Sequence, residues 1–197
     1  MKKLTVLIML GVALLVTGCA KAPKPEVDAA KAAYDAAATA QADVFAPEAF
    51  TRAKASMTEL DAELSAQGRK IFKNYGKAKS IALAARKAAD DAKAAAEARK
   101  TELRNELPRT IASLTDGVRV AEGKLAEALA IPGVRLDAAA LRNDLESVKR
   151  TLTQAKTDFD GGKLADASTK ANQARDLLAR ANKTIDDARA AATVKKR

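Results

Sequence analysis

The chain has 197 residues, with 35 Lys and Arg against 25 Asp and Glu, no histidine, no tryptophan and a single cysteine. Histidine is the commonest proton shuttle near neutral pH and the commonest metal ligand, so its absence argues against catalysis and against a metal site. One cysteine excludes an internal disulfide, and we expect a non-enzymatic protein without a cofactor or metal.

The first residues have the organisation of a bacterial signal peptide. A basic start is followed by an apolar run over residues 4–15 and then by Val16-Thr17-Gly18-Cys19. The run is shorter than the roughly 20 residues that span a membrane comfortably. The tetrapeptide resembles a lipobox, which implies that residues 1–18 are removed as a lipoprotein signal peptide and that Cys19 carries diacylglycerol. The alternatives are an uncleaved N-terminal anchor helix and an ordinary signal peptide with an incidental cysteine.

The residues after the cysteine bear on location and on the start of the folded part. Residue 20 is alanine rather than aspartate, and by resemblance to enterobacterial sorting signals this implies the outer membrane, facing the periplasm. Pro23 and Pro25 predict a short extended tether over residues 19–25, because proline-rich spacers stay extended. The folded part is predicted to begin at Glu26.

Six stripes of apolar residues follow, and their steps alternate between three and four residues. This average period of about 3.5 is typical of helices that pack through coiled-coil seams, and the abundant alanine favours helix. The stripes are Val27, Ala30, Tyr34 and Ala37; Phe50, Ala53, Met57, Leu60, Leu64, Gln67 and Ile71; Tyr75, Ala78, Ala82, Ala85, Ala89, Ala92 and Ala96; Ile111, Leu114, Val118, Ala121, Leu125 and Ala128; Leu141, Leu145, Val148, Leu152, Ala155 and Phe159; and Leu164, Ala167, Ala171, Ala174, Leu178, Ala181, Ile185 and Ala188.

Proline and glycine separate the stripes. Pro47 suits the first turn of a helix, and Asn74-Tyr75-Gly76, Pro132-Gly133 and Gly161-Gly162 are turn signals. Pro108 is predicted to start or kink a helix. Short breaks between long helices predict antiparallel neighbours. We therefore expect an all-α fold, an elongated antiparallel helical bundle or coiled-coil hairpins.

The stripes also predict an internal duplication. Leu60 aligns with Val148 at an offset of 88 (148 − 60), and Ala85 with Ala174 at an offset of 89 (174 − 85). The breaks between the aligned stripes match as well. We expect two related hairpins plus a connecting helix.

The predicted organisation is an alanine-rich helical hairpin over residues 26–107, a connecting helix over residues 108–131, and a second helical hairpin with a basic tail over residues 132–197. The longest helix is predicted to run from about Tyr75 to Leu107 and to be followed by a separate helix from Arg109.

Aromatic side chains lie beside the predicted turns. We expect them to fill hairpin ends, where an alanine seam leaves room, and the alternative is an aromatic ligand site. The residues concerned are Phe45, Phe50, Phe72, Tyr75 and Phe159.

Two short motifs carry a family resemblance. Phe45-Ala46-Pro47-Glu48 and the later Tyr75-x-x-Ala78 resemble the Tyr-Ala-Pro-Glu turn and Tyr-x-x-Ala helix start of alanine-rich bacterial envelope lipoproteins known as a domain of unknown function. The likeness covers about residues 26–99. The second hairpin departs from it, because Val134-Arg135-Leu136-Asp137 lacks the proline. The resemblance implies tetratricopeptide-like helical hairpins in the cell envelope, and it implies no activity and no ligand residues.

The excess of positive charge is spread between the stripes, which is typical of a solvated bundle surface. The C-terminal Lys195, Lys196 and Arg197 resemble the basic tail of the major murein lipoprotein, whose terminal lysine is joined to peptidoglycan. Arg197 lacks the amine for that linkage. We expect these three residues to make non-covalent, salt-sensitive contacts with an anionic wall polymer, and the alternative is a solubilising end.

The partners predicted from these features are a membrane, through acylated Cys19, and either peptidoglycan or another envelope protein, with self-association as a further option. No nucleic-acid-binding motif is present, and we expect no nucleic acid partner. The predicted function is structural or interactive, that of a lipid-anchored envelope protein binding another protein or the cell wall. The alternative is a periplasmic holdase-like chaperone for envelope proteins.

Overall fold

The computed structural model describes residues 21–194, and this part of the chain is an all-helical bundle without a strand. Alternating apolar stripes and good helix formers make these segments helical, as the sequence predicted. The helices are α1 (Lys24–Thr39), α2 (Ala42–Phe45), α3 (Pro47–Gly68), α4 (Gly76–Leu129), α5 (Ala138–Asp160) and α6 (Leu164–Val194).

The chain divides into two compact units, Met1–Arg99 and Lys100–Arg197. The described part of the first unit contains α1, α2, α3 and the beginning of α4. The second unit contains the remainder of α4 together with α5 and α6. Each unit is therefore built from three long helical segments.

In the first unit the three helical segments run up, down and up. One core cluster joins Ala30 of α1 to Leu60 of α3 and Ala82 of α4. A second cluster is composed of Ala33 and Ala37 of α1, Ala42 of α2, Ala49 and Ala53 of α3, and Ala89, Ala92 and Ala96 of α4. From the first cluster to the second, residue numbers rise along α1 and along α4, whereas they fall along α3. Helix α3 is thus antiparallel to both neighbours, and small alanine side chains let the helices approach closely.

The second unit repeats this arrangement with a larger apolar core. Its buried cluster is composed of Val118, Ala121, Leu125 and Ala128 of α4, Leu141, Leu145, Val148 and Leu152 of α5, and Ala174, Leu178, Ala181 and Ile185 of α6. Lys124 of α4 pairs with Asp186 of α6 at 3.4 Å, and Glu127 pairs with Arg189 at 3.6 Å. From the first pair to the second, the residue number rises by three on both helices. Helices α4 and α6 therefore run parallel in this unit.

Each unit contains three long helical segments, one more than the predicted hairpin. Val27 and Ala30 of α1 are buried with the same spacing as Val118 and Ala121 of α4, at an offset of 91 (118 − 27). The segment predicted as a connecting helix is therefore packed into the core of the second unit, as α1 is packed into that of the first. Both segments contribute their stripe to the core of their own unit.

The predicted helix end at Leu107 is wrong, because α4 continues through Pro108 to Leu129. A proline inside a helix removes one backbone donor and usually kinks or breaks it. Leu103 and Leu107 are both buried, whereas Pro108 is exposed. The helix is held on both sides of the proline by packing of its apolar stripe, and the freed carbonyl can meet solvent.

The predicted tether is also shorter than expected. Helix α1 begins at Lys24, with Pro25 in its first turn, where a missing N–H does no harm. Pro23 is buried. The folded part thus begins a few residues closer to Cys19 than the predicted start at Glu26.

The aromatic prediction is confirmed at one end of the first unit and is wrong for Phe72 at the other, where Tyr75 is half-buried. Tyr34 and Phe50 stack with ring centroids 5.0 Å apart beside the alanine cluster. Phe72 is 87% exposed, and Ile71, predicted to be the last residue of its stripe, is 91% exposed. Both residues follow the end of α3 at Gly68, so the stripe stops one turn earlier than predicted.

Candidate binding groove

The predicted site residues, Cys19 and the tail Lys195, Lys196 and Arg197, lie outside residues 21–194. Their predicted lipidation and wall contacts stay predictions. Within the described range, three adjoining cavities form a groove in the second unit, between α4 and α5.

The centre of this groove is a cavity of about 450 Å³. Buried Val118 and Leu152 form its floor together with half-buried Ile111. Thr115 and Thr153 lie at the exposed edge. The groove is therefore an opening onto the apolar core, bordered by short polar side chains.

Two further cavities of about 410 Å³ each extend the groove in opposite directions. One shares Glu122 with the central cavity and reaches Ala126. The other shares Ile111 and Thr115 with it and reaches Pro108. Ala126 is eighteen positions after Pro108 along α4 (126 − 108), which corresponds to about 27 Å at 1.5 Å per residue. The groove is long enough for a short helix or an extended peptide.

Helical spacing explains why these residues share one surface. The lining positions advance along each helix in steps of one, two or three residues, so they form a row along one side of each helix. The α4 members are Pro108, Ile111, Ala112, Thr115, Asp116, Val118, Arg119, Glu122, Leu125 and Ala126, and the α5 members are Arg142, Leu145, Glu146, Lys149, Leu152, Thr153, Lys156, Phe159 and Asp160. Small α4 residues such as Ala112 and Ala126 leave part of the space beside the seam unfilled.

An ion-pair bridge crosses the groove between the central cavity and the Ala126 end. Lys149 Nζ of α5 lies 2.7 Å from Glu122 Oε1 of α4 and 2.8 Å from Glu146 Oε1. Hydrogen bonds to these two carboxylates raise the pKa of Lys149 above its ordinary value. All three side chains are well exposed, so the bridge is screened by solvent and contributes little to stability.

The other cations that line the central cavity are paired with acids on their own helix. Arg119 bonds to Asp116, and Lys156 Nζ lies 2.8 Å from Asp160 Oδ2. These pairs neutralise much of the charge beside the apolar floor. The arrangement suits an apolar surface of a partner better than an anionic polymer, which would need uncompensated cations.

A smaller cavity of about 270 Å³ lies on another side of the second unit, between α4 and α6. Arg109 and Arg175 line it together with Thr110 and Ser113. Guanidinium and hydroxyl groups can donate hydrogen bonds to a small oxyanion. The Arg175 guanidinium already donates one hydrogen bond, to Asn172 at 2.7 Å.

Sequence reasoning missed the groove because periodicity marked Ile111, Val118 and Leu152 as seam residues and could not show the space left beside them. The only signal was that small Ala112 and Ala126 follow the seam residues Ile111 and Leu125 directly. None of the helices over residues 21–194 is long and apolar enough to cross a membrane. No group of three or more acidic, histidine or cysteine side chains in that range is arranged to hold a metal ion.

Comparison with known proteins adds no family to this description. The chain matches no family model, no curated protein and no solved structure.

Proposed function

We propose that this protein is a lipid-anchored component of the bacterial cell envelope that binds an apolar segment of another envelope protein in the groove between α4 and α5. The lipobox-like Val16-Thr17-Gly18-Cys19 supports the anchor. The groove supports the binding role, and it is the observation that carries the proposal.

The chemistry of the groove favours a protein over the wall polymer. Val118, Leu152 and Ile111 provide an apolar floor, whereas Lys149 and Lys156 are already bonded to acids. An amphipathic helix can place apolar residues at successive turns into such a groove, as in other helix-in-groove complexes. A polysaccharide would leave this apolar surface without a complementary partner.

A holdase-like chaperone is the second candidate, and the same groove favours it. Its exposed edge carries the short side chains Thr115 and Thr153, which select only weakly among partner sequences. A chaperone would accept many unfolded clients, whereas an interaction protein would accept one partner. The number of partners therefore separates the two functions.

Photo-crosslinking in living cells tests both candidates. A photoreactive residue is placed at Thr115, which lines two of the three cavities, or at Gln154 as the control. Gln154 is exposed on α5 and lies outside the residues that line the groove. One discrete product from Thr115 alone supports a specific partner. A ladder of products supports the holdase, and equal labelling from both positions refutes the groove as the binding surface.

A blocking substitution provides the second measurement. Thr115→Trp should fill part of the central cavity and abolish the discrete product trapped from a photoreactive residue at Thr153. Thr115 is exposed, so the larger side chain should leave the stability of the protein unchanged. Gln154→Trp is the matched control, and it should preserve the product.

A further inference from the structure

We infer that the loop between α3 and α4, residues 69–75, is a second membrane contact that lies against the anionic lipid surface to which Cys19 is anchored. This inference rests on the lipid anchor of the proposed function. It concerns the first unit alone and does not involve the groove.

The loop presents apolar side chains to solvent. Ile71 is 91% exposed and Phe72 is 87% exposed, the highest values among the large apolar residues that the structure describes. Adjacent apolar side chains exposed to this degree are unfavourable in water, because each leaves its whole apolar surface hydrated. They are favourable at a membrane interface, where aromatic and aliphatic residues enter the boundary between headgroups and acyl chains.

The base of the loop is fixed, so the exposure of its tip follows from the fold. Gln67, at the end of α3, is buried, and its Oε1 accepts a hydrogen bond from the backbone N–H of Asn74 at 3.1 Å. Its Nε2 donates to Glu63 at 2.7 Å. Asn74 in turn accepts a bond from the N–H of Gly76 at 3.0 Å. These bonds join the two ends of the loop, and Ile71 and Phe72 project between them.

Charge around the tip complements an anionic lipid surface. Arg69, Lys70 and Lys73 are exposed on either side of the apolar pair. The acid in the hydrogen-bond network of the loop is Glu63, which Gln67 and Lys77 already bond, the latter at 3.3 Å. Hydrogen bonds from these two residues lower the pKa of Glu63. The tip itself, residues 69–75, contains no acidic residue.

The position of the loop identifies the membrane concerned. Lys79 of α4 bonds Glu26 of α1 at 2.8 Å, so the loop that precedes α4 lies at the same end of the first unit as the start of α1. Cys19 is five residues before Lys24 (24 − 19), a span of at most about 18 Å in an extended chain. A lipid on Cys19 therefore holds this end of the first unit close to the bilayer. The turn around Val44 is at the opposite end of the unit.

Tryptophan fluorescence tests the contact directly, because the chain has no tryptophan of its own. Phe72→Trp places a reporter at the tip, and Val44→Trp, at a position 51% exposed, places a matched reporter at the opposite end of the unit. The full acylated protein is reconstituted into vesicles of phosphatidylethanolamine and phosphatidylglycerol that contain brominated lipid. We expect a blue shift and strong quenching for Phe72→Trp and neither for Val44→Trp.

The cations are tested in the Phe72→Trp background by replacing Arg69, Lys70 and Lys73 with serine. Each cation near an anionic surface shifts the equilibrium between inserted and free loop by about fivefold, so quenching should fall in anionic vesicles. It should not change in vesicles that contain only zwitterionic lipid. Equal loss of quenching in both vesicle types would contradict the charge contribution.

Failure of the anchor and failure of the loop contact are distinguishable. If labelled palmitate shows that Cys19 is not acylated in cells, the proposed anchor fails. The single thiol is then coupled to a maleimide-linked diacyl lipid, and the fluorescence measurement is repeated. Unquenched Phe72→Trp in vesicle-bound protein overturns the inference. A concentration-dependent blue shift without vesicles also overturns it, because the tip would then contact a second copy of the chain.

Discussion

Gly117 and Gly123 of α4 provide a matched test of how α4 packs on α6 in the second unit. A methyl group at Gly123 meets no atom within 4 Å, whereas one at Gly117 would lie 2.9 Å from Cδ2 of buried Leu178. Alanine gains about 1 kcal/mol over glycine within a helix. At Gly117 this gain is opposed by overpacking, which costs about 1 to 3 kcal/mol. We expect Gly123→Ala to stabilise the protein and Gly117→Ala to leave it unchanged or destabilise it.

The free energy of unfolding of each variant is measured by denaturant titration followed by far-UV circular dichroism. Gly123→Ala should raise it by about 1 kcal/mol, and Gly117→Ala should change it by between zero and about −2 kcal/mol. Leu178→Ala alone should cost about 2 to 5 kcal/mol. In that background the methyl at Gly117 has room, and Gly117→Ala should become stabilising. Equal stabilisation by both glycine substitutions in the wild-type background would refute the close approach.

The remaining predictions concern the first unit and the anchor. Ala85→Leu should lower the free energy of unfolding by about 1 to 3 kcal/mol, because Ala85 is fully buried in an alanine seam. Ala84 is exposed, so Ala84→Leu should have little effect. Equal effects of the two substitutions would place the seam elsewhere. A hydrogen bond from Lys79 holds the pKa of Glu26 below its ordinary value of 4.5. The ionised carboxylate therefore stabilises the fold above that pH, and the stability advantage of wild type over Glu26→Gln should shrink as pH falls below 4.5; a constant difference in acid titrations would contradict this. Cys19→Ser should abolish palmitate labelling and release the protein from membranes, and labelled palmitate on this variant would refute the anchor.

The sequence alone determined that the chain is helical and which residues form most of the buried faces. Burial of a periodic stripe depends on the residues of one helix, so Ala82, Leu145 and Ile185 could each be assigned to a seam from local spacing. The turns at Pro132-Gly133 and Gly161-Gly162 were predictable because proline and glycine are also local signals. Gly133 and Gly162 have positive φ values of 90° and 75°, which glycine adopts without strain.

At some positions packing overrides a local sequence signal, and only the tertiary structure decided the outcome there. Pro108 is a helix-breaking residue by itself, but packing of Leu107 and the residues beyond it keeps α4 continuous. Ile71 continues a helical stripe in sequence, but α3 ends before it at Gly68. Local propensity is worth about 1 kcal/mol per residue or less outside proline, so contacts between distant segments outweigh it.

The groove and the exposed loop likewise depend on residues that are far apart in sequence. Lys149 meets Glu122 only because α4 and α5 pack antiparallel, and the space beside them is set by both helices. Gln67 holds Asn74 across the loop, which leaves Phe72 outside the core. Periodicity specifies which face of a helix is buried. The neighbour of that face, and the space left beside it, are set by side chains that meet only in the folded chain.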